Sequence, residues 1–474
     1  MRSDRVVMAL LFVGMMALYV AVTRAEIYAY DAQSMAAVGR NLVDRHTLQT
    51  VGAFHDPFGF STPYAPYGIG VSLLVAPVYA LSKLVGQYDL LVSLINPLLT
   101  AAATVLVFAI CRALSWRRVH ALMAAVAFGA LSWALQSTTE LFSEPGVTLC
   151  AVVMVLGMVR WRAGWRWGPL LTGLGAAASV QFRTDSALTV CIGLALLPLF
   201  VPWRALIRPR PLLALLTPLL LGAVAVAWYN HLRYGSLVVT RYNNDQWSTP
   251  LLHGLRGFLF SPGRSLFIFD PPAVLGVVGL VLLARRDRAL AALFSLLLVS
   301  RLLFFARWDA WDGAWAWGPR FLLPATPFLA IAAVEVLRAA EGRRLLRRAV
   351  LAVATVLVGV SAVVGFLSVR VPYEQWFETL YYSPAQRAAL IPGVAPDYNF
   401  VWRASPLPGD VTLLQKGLAR TAPHWWRPGN NPIAGEALLV SSGAALGLAF
   451  GLAGRRRRVA AQQPAAEVRS EATA

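Results

Sequence analysis

The chain has 474 residues, of which 58% are hydrophobic and 14% charged, with a formal net charge of +19. That much apolar surface cannot be hidden in the core of a water-soluble protein of this length. The positive charge lies in short clusters between apolar runs rather than in one patch, which argues against nucleic acid as a partner and for loops on one side of a membrane.

Apolar runs long enough to cross about 30 Å of hydrocarbon recur along the chain. The reading is an all-α polytopic membrane protein of about twelve transmembrane helices: 6–24, 89–112, 119–138, 145–160, 168–183, 186–202, 211–229, 266–284, 289–306, 320–338, 349–369 and 436–454. The first run follows Arg2 and Arg5 like a signal peptide, but it exceeds the usual apolar core of one and reads as a retained helix. The segment Tyr67–Gly86 contains Pro77, ends in Lys83 and has no basic cluster, so it is expected as a re-entrant or interfacial helix on the outer face.

The clusters "CRALSWRRVH", "RWRAGWRW", "WRALIRPRP", "ARRDR", "LRAAEGRRLLRR" and "RRRR" then all fall on one side, with Arg2 and Arg5. By the positive-inside rule that side is the cytoplasm, and both termini are cytoplasmic. The expected organisation is a transmembrane catalytic module over 1–369 with a first outer loop at 25–88. An extracytoplasmic loop region follows at 370–435, then a last span at 436–454 and a basic, disordered tail at 455–474. Cys111, Cys150 and Cys191 lie in or at the ends of apolar segments without metal-ligand spacing and read as buried small hydrophobes.

Most acids fall on the expected outer side, among them Glu26, Asp31, Asp44, Asp56, Glu140, Glu144, Asp185, Asp245, Asp309 and Asp312. Arg183, Arg241, Arg264 and Arg320 face them there. A carboxylate at a membrane surface is costly unless it is paired or used. Asp31 follows the first span and precedes a helix-like run, so it suits a helix N-cap; ionised, it also suits a general base toward a hydroxyl. Glu144 in "TTELFSEPGVTL" precedes Pro145 at the start of the next span, where a carboxylate complements the helix dipole. Arg183 in "VQFRTDSAL" is either a local partner of Asp185 or a phosphate clamp, because the guanidinium fork matches phosphate oxygens.

"RWDAWDGAWAWGPRF" carries four tryptophans, which an interfacial aromatic belt explains, with sugar stacking on exposed indoles as the alternative. Arg320 at its end either faces a phosphate or snorkels, and Arg264 lies in "SPGRSLF". The six histidines include no pair with zinc-site spacing, and there is no nucleotide-binding glycine loop.

In this order and sidedness the motifs resemble the C-type glycosyltransferase (GT-C) superfamily, most closely the aminoarabinose transferase and protein O-mannosyltransferase group. "YDAQSMAAVGRNLVDRHTL" fills the place of that group's aspartate-led helix, although Ala32 stands where a second acid often follows. "STPYAPYGIGVSLLVAPVYAL" resembles its Tyr/Pro-rich segment before a surface helix, without a lysine near Tyr64. "SEPG" supplies an acid before proline, and Arg183 a basic residue after the fifth span.

The resemblance implies a GT-C-like fold and an inverting transfer of a sugar from a polyprenyl-phosphate donor to a glycan, lipid or protein acceptor of the cell envelope. Asp31 would be catalytic. Glu144, Tyr64 and Tyr67 would position donor or acceptor, and Arg183, Arg264 and Arg320 would bind phosphate. No metal or other cofactor is expected. The bilayer would be the plasma (inner) membrane, with the active site on its outer face. A transporter of lipid-linked sugars, a non-catalytic envelope-assembly protein and an oligosaccharide polymerase or ligase are the competing readings. "HWWRPGNNP" in loop 370–435 is a candidate acceptor-selecting element, from its exposure and aromatic content.

Overall fold

The structure is a computed structural model that describes residues 2–52, 63–238, 246–314, 316–381, 385 and 399–454. Asp56, Arg241, Asp245 and the expected tail lie outside the described residues. Among the described residues the chain is helical, with no strand.

The first half comprises α1 (Arg2–Val22), α2 (Tyr30–Asp44), α3 (Gly70–Val85), α4 (Tyr88–Ser93), α5 (Ile95–Ala113), α6 (Arg118–Leu131), α7 (Ala134–Ser137), α8 (Glu144–Arg162), α9 (Gly168–Phe182), α10 (Ala187–Phe200), α11 (Trp203–Leu206) and α12 (Pro209–Tyr234). The second half comprises α13 (Leu251–Phe260), α14 (Leu266–Phe269), α15 (Ala273–Arg286), α16 (Arg288–Arg307), α17 (Thr326–Ala339), α18 (Arg344–Arg370), α19 (Tyr373–Tyr381), α20 (Pro406–Gln415) and α21 (Pro432–Gly454).

Eight helices among the described residues are long and apolar enough to cross a membrane. Four of the expected spans are realised by shorter helices packed beside the long ones. Arg118–Leu131 and Gly168–Phe182 have 14 and 15 residues, and Ala187–Phe200 and Ala273–Arg286 have 14 each. The span expected from 266 begins at Ala273, because Pro271 and Pro272 interrupt the apolar run and leave Leu266–Phe269 as a separate turn. The span expected from 320 opens as a 3-10 turn, Arg320–Ala325, before α17.

α8 packs along α5 and α9, α9 along α12, α15 along α17, and α1 along α21. The innermost elements are α8 and the Arg320–Ala339 stretch, with 83% and 89% of their apolar windows buried, against 17% for α12, α18 and α21. The outer three present apolar faces such as Leu220, Val224, Val356, Phe366 and Val440, as lipid-facing helices do. Cys111 and Cys150 are buried, but Cys191 is exposed on such a face, where a small apolar thiol needs no burial.

The described basic clusters meet at one end. Arg112 and Arg118 pair with Asp4, Arg117 with Glu341, Arg162 with Asp287, and Arg286 and Arg338 with Glu335. The described ones among the expected outer acids gather at the opposite end. There α3 packs on α2 over the bundle mouth, and α19 and α20 form a further layer.

Candidate active site

α1 ends at Val22, and residues 23–29 lead into α2 without helical structure. α2 begins at Tyr30 with Ala29 as N-cap and no side-chain cap, so the capping role expected of Asp31 is not realised. Asp31 lies in the first turn, at the positive end of the helix. Its carboxylate turns to another segment: Arg320 Nη1 donates to Asp31 Oδ2 at 2.9 Å.

Glu144 opens α8, with proline in the first turn as expected. Arg183 closes α9 as its C-cap residue. The two ends meet because Gly146 lacks a side chain: a Cβ there would stand 2.3 Å from the ring of Phe182. Arg183 Nη1 then donates to Glu144 Oε1 at 3.0 Å, and its Nε to Asp185 Oδ1 at 2.8 Å. Arg301 Nη2 reaches Asp185 Oδ2 at 3.4 Å, and Arg320 Nε stands 3.9 Å from Glu144 Oε1.

Asp31, Arg320, Glu144, Arg183, Asp185 and Arg301 therefore form one continuous chain of alternating charge, three carboxylates against three arginines. Glu144, Arg183 and Arg301 are buried, where ions persist only when paired. Aromatic faces pack the guanidiniums: Arg320 over Phe142 and Phe321 at 4.8 and 5.0 Å, Arg183 over Phe321 at 5.1 Å, and Arg301 over Phe305 at 5.3 Å. Phe305 and Phe321 stack with centroids 4.5 Å apart. Glu144 Oε2 and Arg320 Nε are buried and make no hydrogen bond among the described residues, so the pair keeps one acceptor and one donor for a ligand or water.

Arg264 stands apart from this chain. It is fully buried, and its guanidinium donates to the carbonyls of Ala314 and Ala316 and, at 3.4 Å, of Gly318. Ala314 adopts a left-handed φ of 54°, costly for a residue with a Cβ. Arg264 thus holds the turn that delivers Arg320. The tryptophans of this turn differ from expectation. Trp308, Trp311 and Trp317 are all buried, Trp311 edge-on to Phe258 and Trp317 edge-on to Phe269, so they form neither an interfacial belt nor exposed stacking platforms. The turn folds inward because its indoles pack against α13 and α14; Trp315 lies outside the described residues.

Tyr64 and Tyr67 lie on the segment leading into α3. Arg233 at the end of α12 donates to the carbonyls of Ala65 and Tyr67 at 3.0 and 2.9 Å. Gly68 permits this seat, since a Cβ there would stand 2.3 Å from the carbonyl oxygen of Gln181. Tyr67 is buried, and Tyr64 is half-buried with Gln49 Nε2 at 3.4 Å from its hydroxyl. Tyr64 lines an apolar groove of about 840 Å³ between α9 and α12, walled also by Leu73, Leu174, Leu221 and Trp228. Gln181, two residues before Arg183, lies in its wall.

A second polar cluster anchors the layer over the site. Arg24 makes a bidentate pair with Glu374 at 3.0 and 2.6 Å and lies 4.0 Å from Glu140. Glu140 Oε2 accepts from the backbone N–H of Ala29 at 3.3 Å, two residues before Asp31. Burial pushes the Glu140 carboxyl up to about 7, against the pull of Arg24. In "HWWRPGNNP", the backbone N–H of His424 donates to Thr23 O at 2.8 Å and Trp425 Nε1 to Val20 O at 2.7 Å, so the segment is docked on the end of α1.

The structure thus brings together Asp31, Glu144, Arg183 and Arg320, and leaves Arg264, Tyr64 and Tyr67 beside them. Sequence reasoning missed Arg301, Arg24 and Glu374. Arg301 did carry a signal, a lone arginine inside the apolar run "LLLVSRLLFF", where an ionisable residue asks for a buried partner.

No protein-family model and no curated protein sequence matches the chain. Among solved structures it is similar to ArnT from Cupriavidus metallidurans in the apo state, with 12% identity and a TM-score of 0.51, covering 92% of this chain and 75% of that one. It is similar to the same protein bound to undecaprenyl phosphate, with 13% identity and a TM-score of 0.52, covering 94% of this chain and 77% of that one. The chain has the all-α, GT-C-type membrane fold of these structures.

Proposed function

We propose that the chain is an inverting glycosyltransferase that moves a sugar from a polyprenyl-phosphate donor to an envelope acceptor at the outer face of the plasma membrane, with both termini cytoplasmic. The observation that carries this reading is the Asp31–Arg320–Glu144–Arg183 chain of charge at the mouth of a membrane bundle. The fold likeness to ArnT, and the undecaprenyl phosphate bound in one ArnT structure, support a donor of that class.

Asp31 orients the acceptor hydroxyl and takes its proton as the oxygen attacks the anomeric carbon. The new C–O bond forms as the bond from that carbon to the phosphate oxygen breaks, and polyprenyl phosphate leaves with the electron pair. Arg320, shared by two carboxylates and with Nε unsatisfied, is the donor available to the leaving phosphate, and Arg183 adds positive charge behind it. Glu144 positions the substrates through its unpaired Oε2. Tyr64 contacts the lipid at the groove, whose apolar walls suit a polyprenyl chain, while Tyr67 and Arg264 hold the segments around the site.

We propose no resident metal, because the Arg320 guanidinium already stands between the two carboxylates that a cation would bridge. Chelator treatment of the purified protein should leave turnover unchanged. The decisive experiment compares wild type with Asp31→Asn on polyprenyl-phosphate sugars from membrane extract, reading lipid-phosphate release and sugar transfer. Transfer by wild type and none by a folded, lipid-binding variant is expected. Equal activity moves the catalytic centre elsewhere, and no transfer by either favours a transporter or assembly protein.

A further inference from the structure

The end of the bundle opposite the candidate site carries a cavity that the proposed reaction does not use. It measures about 1090 Å³ and lies among the α8–α9 turn, the end of α10 and the start of α12. Four arginines line it, Arg162, Arg166, Arg208 and Arg210, and among the described residues no carboxylate does. Arg162 is neutralised by Asp287 at 2.6 Å, and Arg166 lies over the Trp167 ring at 5.2 Å. Among the described residues, Arg208 and Arg210 have no carboxylate partner.

Two further observations give the cavity a direction. The first turns of α9 and α12 both enter its wall, through Pro169 and Pro209–Pro211, so two helix N-termini add positive potential to the arginines. The rim carries Trp165 and Trp167, 41% and 49% exposed, with Trp203 nearby at 65%. Large amphipathic rings exposed at the end of a membrane bundle mark the headgroup level of the bilayer. A cavity at that depth, positively charged and with apolar walls from Val201 and Ala214, suits a molecule with an anionic head and an apolar tail.

We propose that this cavity binds the phosphate headgroup of an anionic membrane lipid on the basic side of the protein. Arg208 and Arg210 supply the contacts, and Trp165 and Trp167 flank the glycerol and upper acyl region. The site is separate from the donor site and does not depend on the glycosyltransferase reading.

The test is native mass spectrometry of the full chain in detergent, titrated with phosphatidylglycerol, phosphatidylcholine or inorganic phosphate. Each arginine near an anionic headgroup is worth about fivefold in affinity. Arg208→Gln with Arg210→Gln should therefore weaken phosphatidylglycerol binding roughly 25-fold. Both side chains are exposed, so the fold should survive. Arg344→Gln with Arg347→Gln, exposed on the same end but outside the cavity, should change nothing. Equal losses in both double variants would mean diffuse attraction to the basic end and overturn the site. Phosphatidylcholine binding as strongly, or inorganic phosphate displacing the lipid at millimolar concentration, would also overturn it.

Discussion

Arg320 bridges Asp31 and Glu144, with Nη1 at 2.9 Å from one carboxylate and Nε at 3.9 Å from the other. The two acids come from different helix starts, and the arginine enters from a third segment 289 residues away from Asp31. One guanidinium thus sets the distance between the proposed base and the proposed positioning acid.

Removing the base and removing its bridge should give different signatures. Asp31→Asn keeps the shape of the side chain but loses the charge, and transfer should fall by roughly 10²-fold or more. Arg320→Lys keeps charge but not the fork shared by two acids, and transfer should fall less. Single-turnover assays with lipid-linked donor check this; transfer retained in Asp31→Asn would remove Asp31 from the chemistry.

Arg183 is buried between Glu144 and Asp185. Arg183→Ala leaves the buried Glu144 and the partly buried Asp185 short of a partner, and breaking a buried pair costs about 3–5 kcal/mol. The expected outcome is a large drop in the thermal midpoint of the detergent-solubilised protein. The double change Arg183→Met with Glu144→Gln should recover part of that stability without activity, a pattern that a double-mutant cycle resolves.

Arg264 acts through the carbonyls of Ala314, Ala316 and Gly318 rather than on substrate. Arg264→Lys cannot reach three carbonyls with one ammonium, so it should behave like Arg264→Ala. Both should lower kcat and stability together while leaving lipid-phosphate affinity near wild type. A selective loss of lipid-phosphate binding would instead make Arg264 a direct phosphate ligand.

Glu140 gives the fold a pH dependence. Burial raises its carboxyl to about 7 in the folded state, above the ordinary glutamate value of about 4.3. The folded protein therefore binds this proton more tightly than the unfolded chain, and stability is fully present below about pH 4.3 and is lost as pH rises through 7. The loss is at most about 4 kcal/mol. Glu140→Gln should flatten the thermal midpoint between pH 5 and 8; an unchanged slope would exclude Glu140 as its source.

Much of the architecture was legible locally. The length of each apolar run and the basic residues between runs are properties of short windows, so the helices, their alternation and the gathering of arginines at one end follow from them. Errors arose where backbone chemistry cut an apolar run, as Pro271 and Pro272 do before α15.

The sequence by itself determined the membrane class, the separation of acids from the basic clusters and the candidates Asp31, Glu144, Arg183 and Arg320. Only the tertiary structure decided who pairs with whom. Asp31 gave up capping for Arg320, Arg24 found Glu374 across 350 residues, and Arg264 turned to backbone carbonyls. The tryptophans near Arg320 turned inward for the same reason, since neither burial nor partner is visible in a window of sequence. In a low-dielectric interior a charge is stable only beside its opposite, so pairing follows distance in space, and sequence separation carries no record of it.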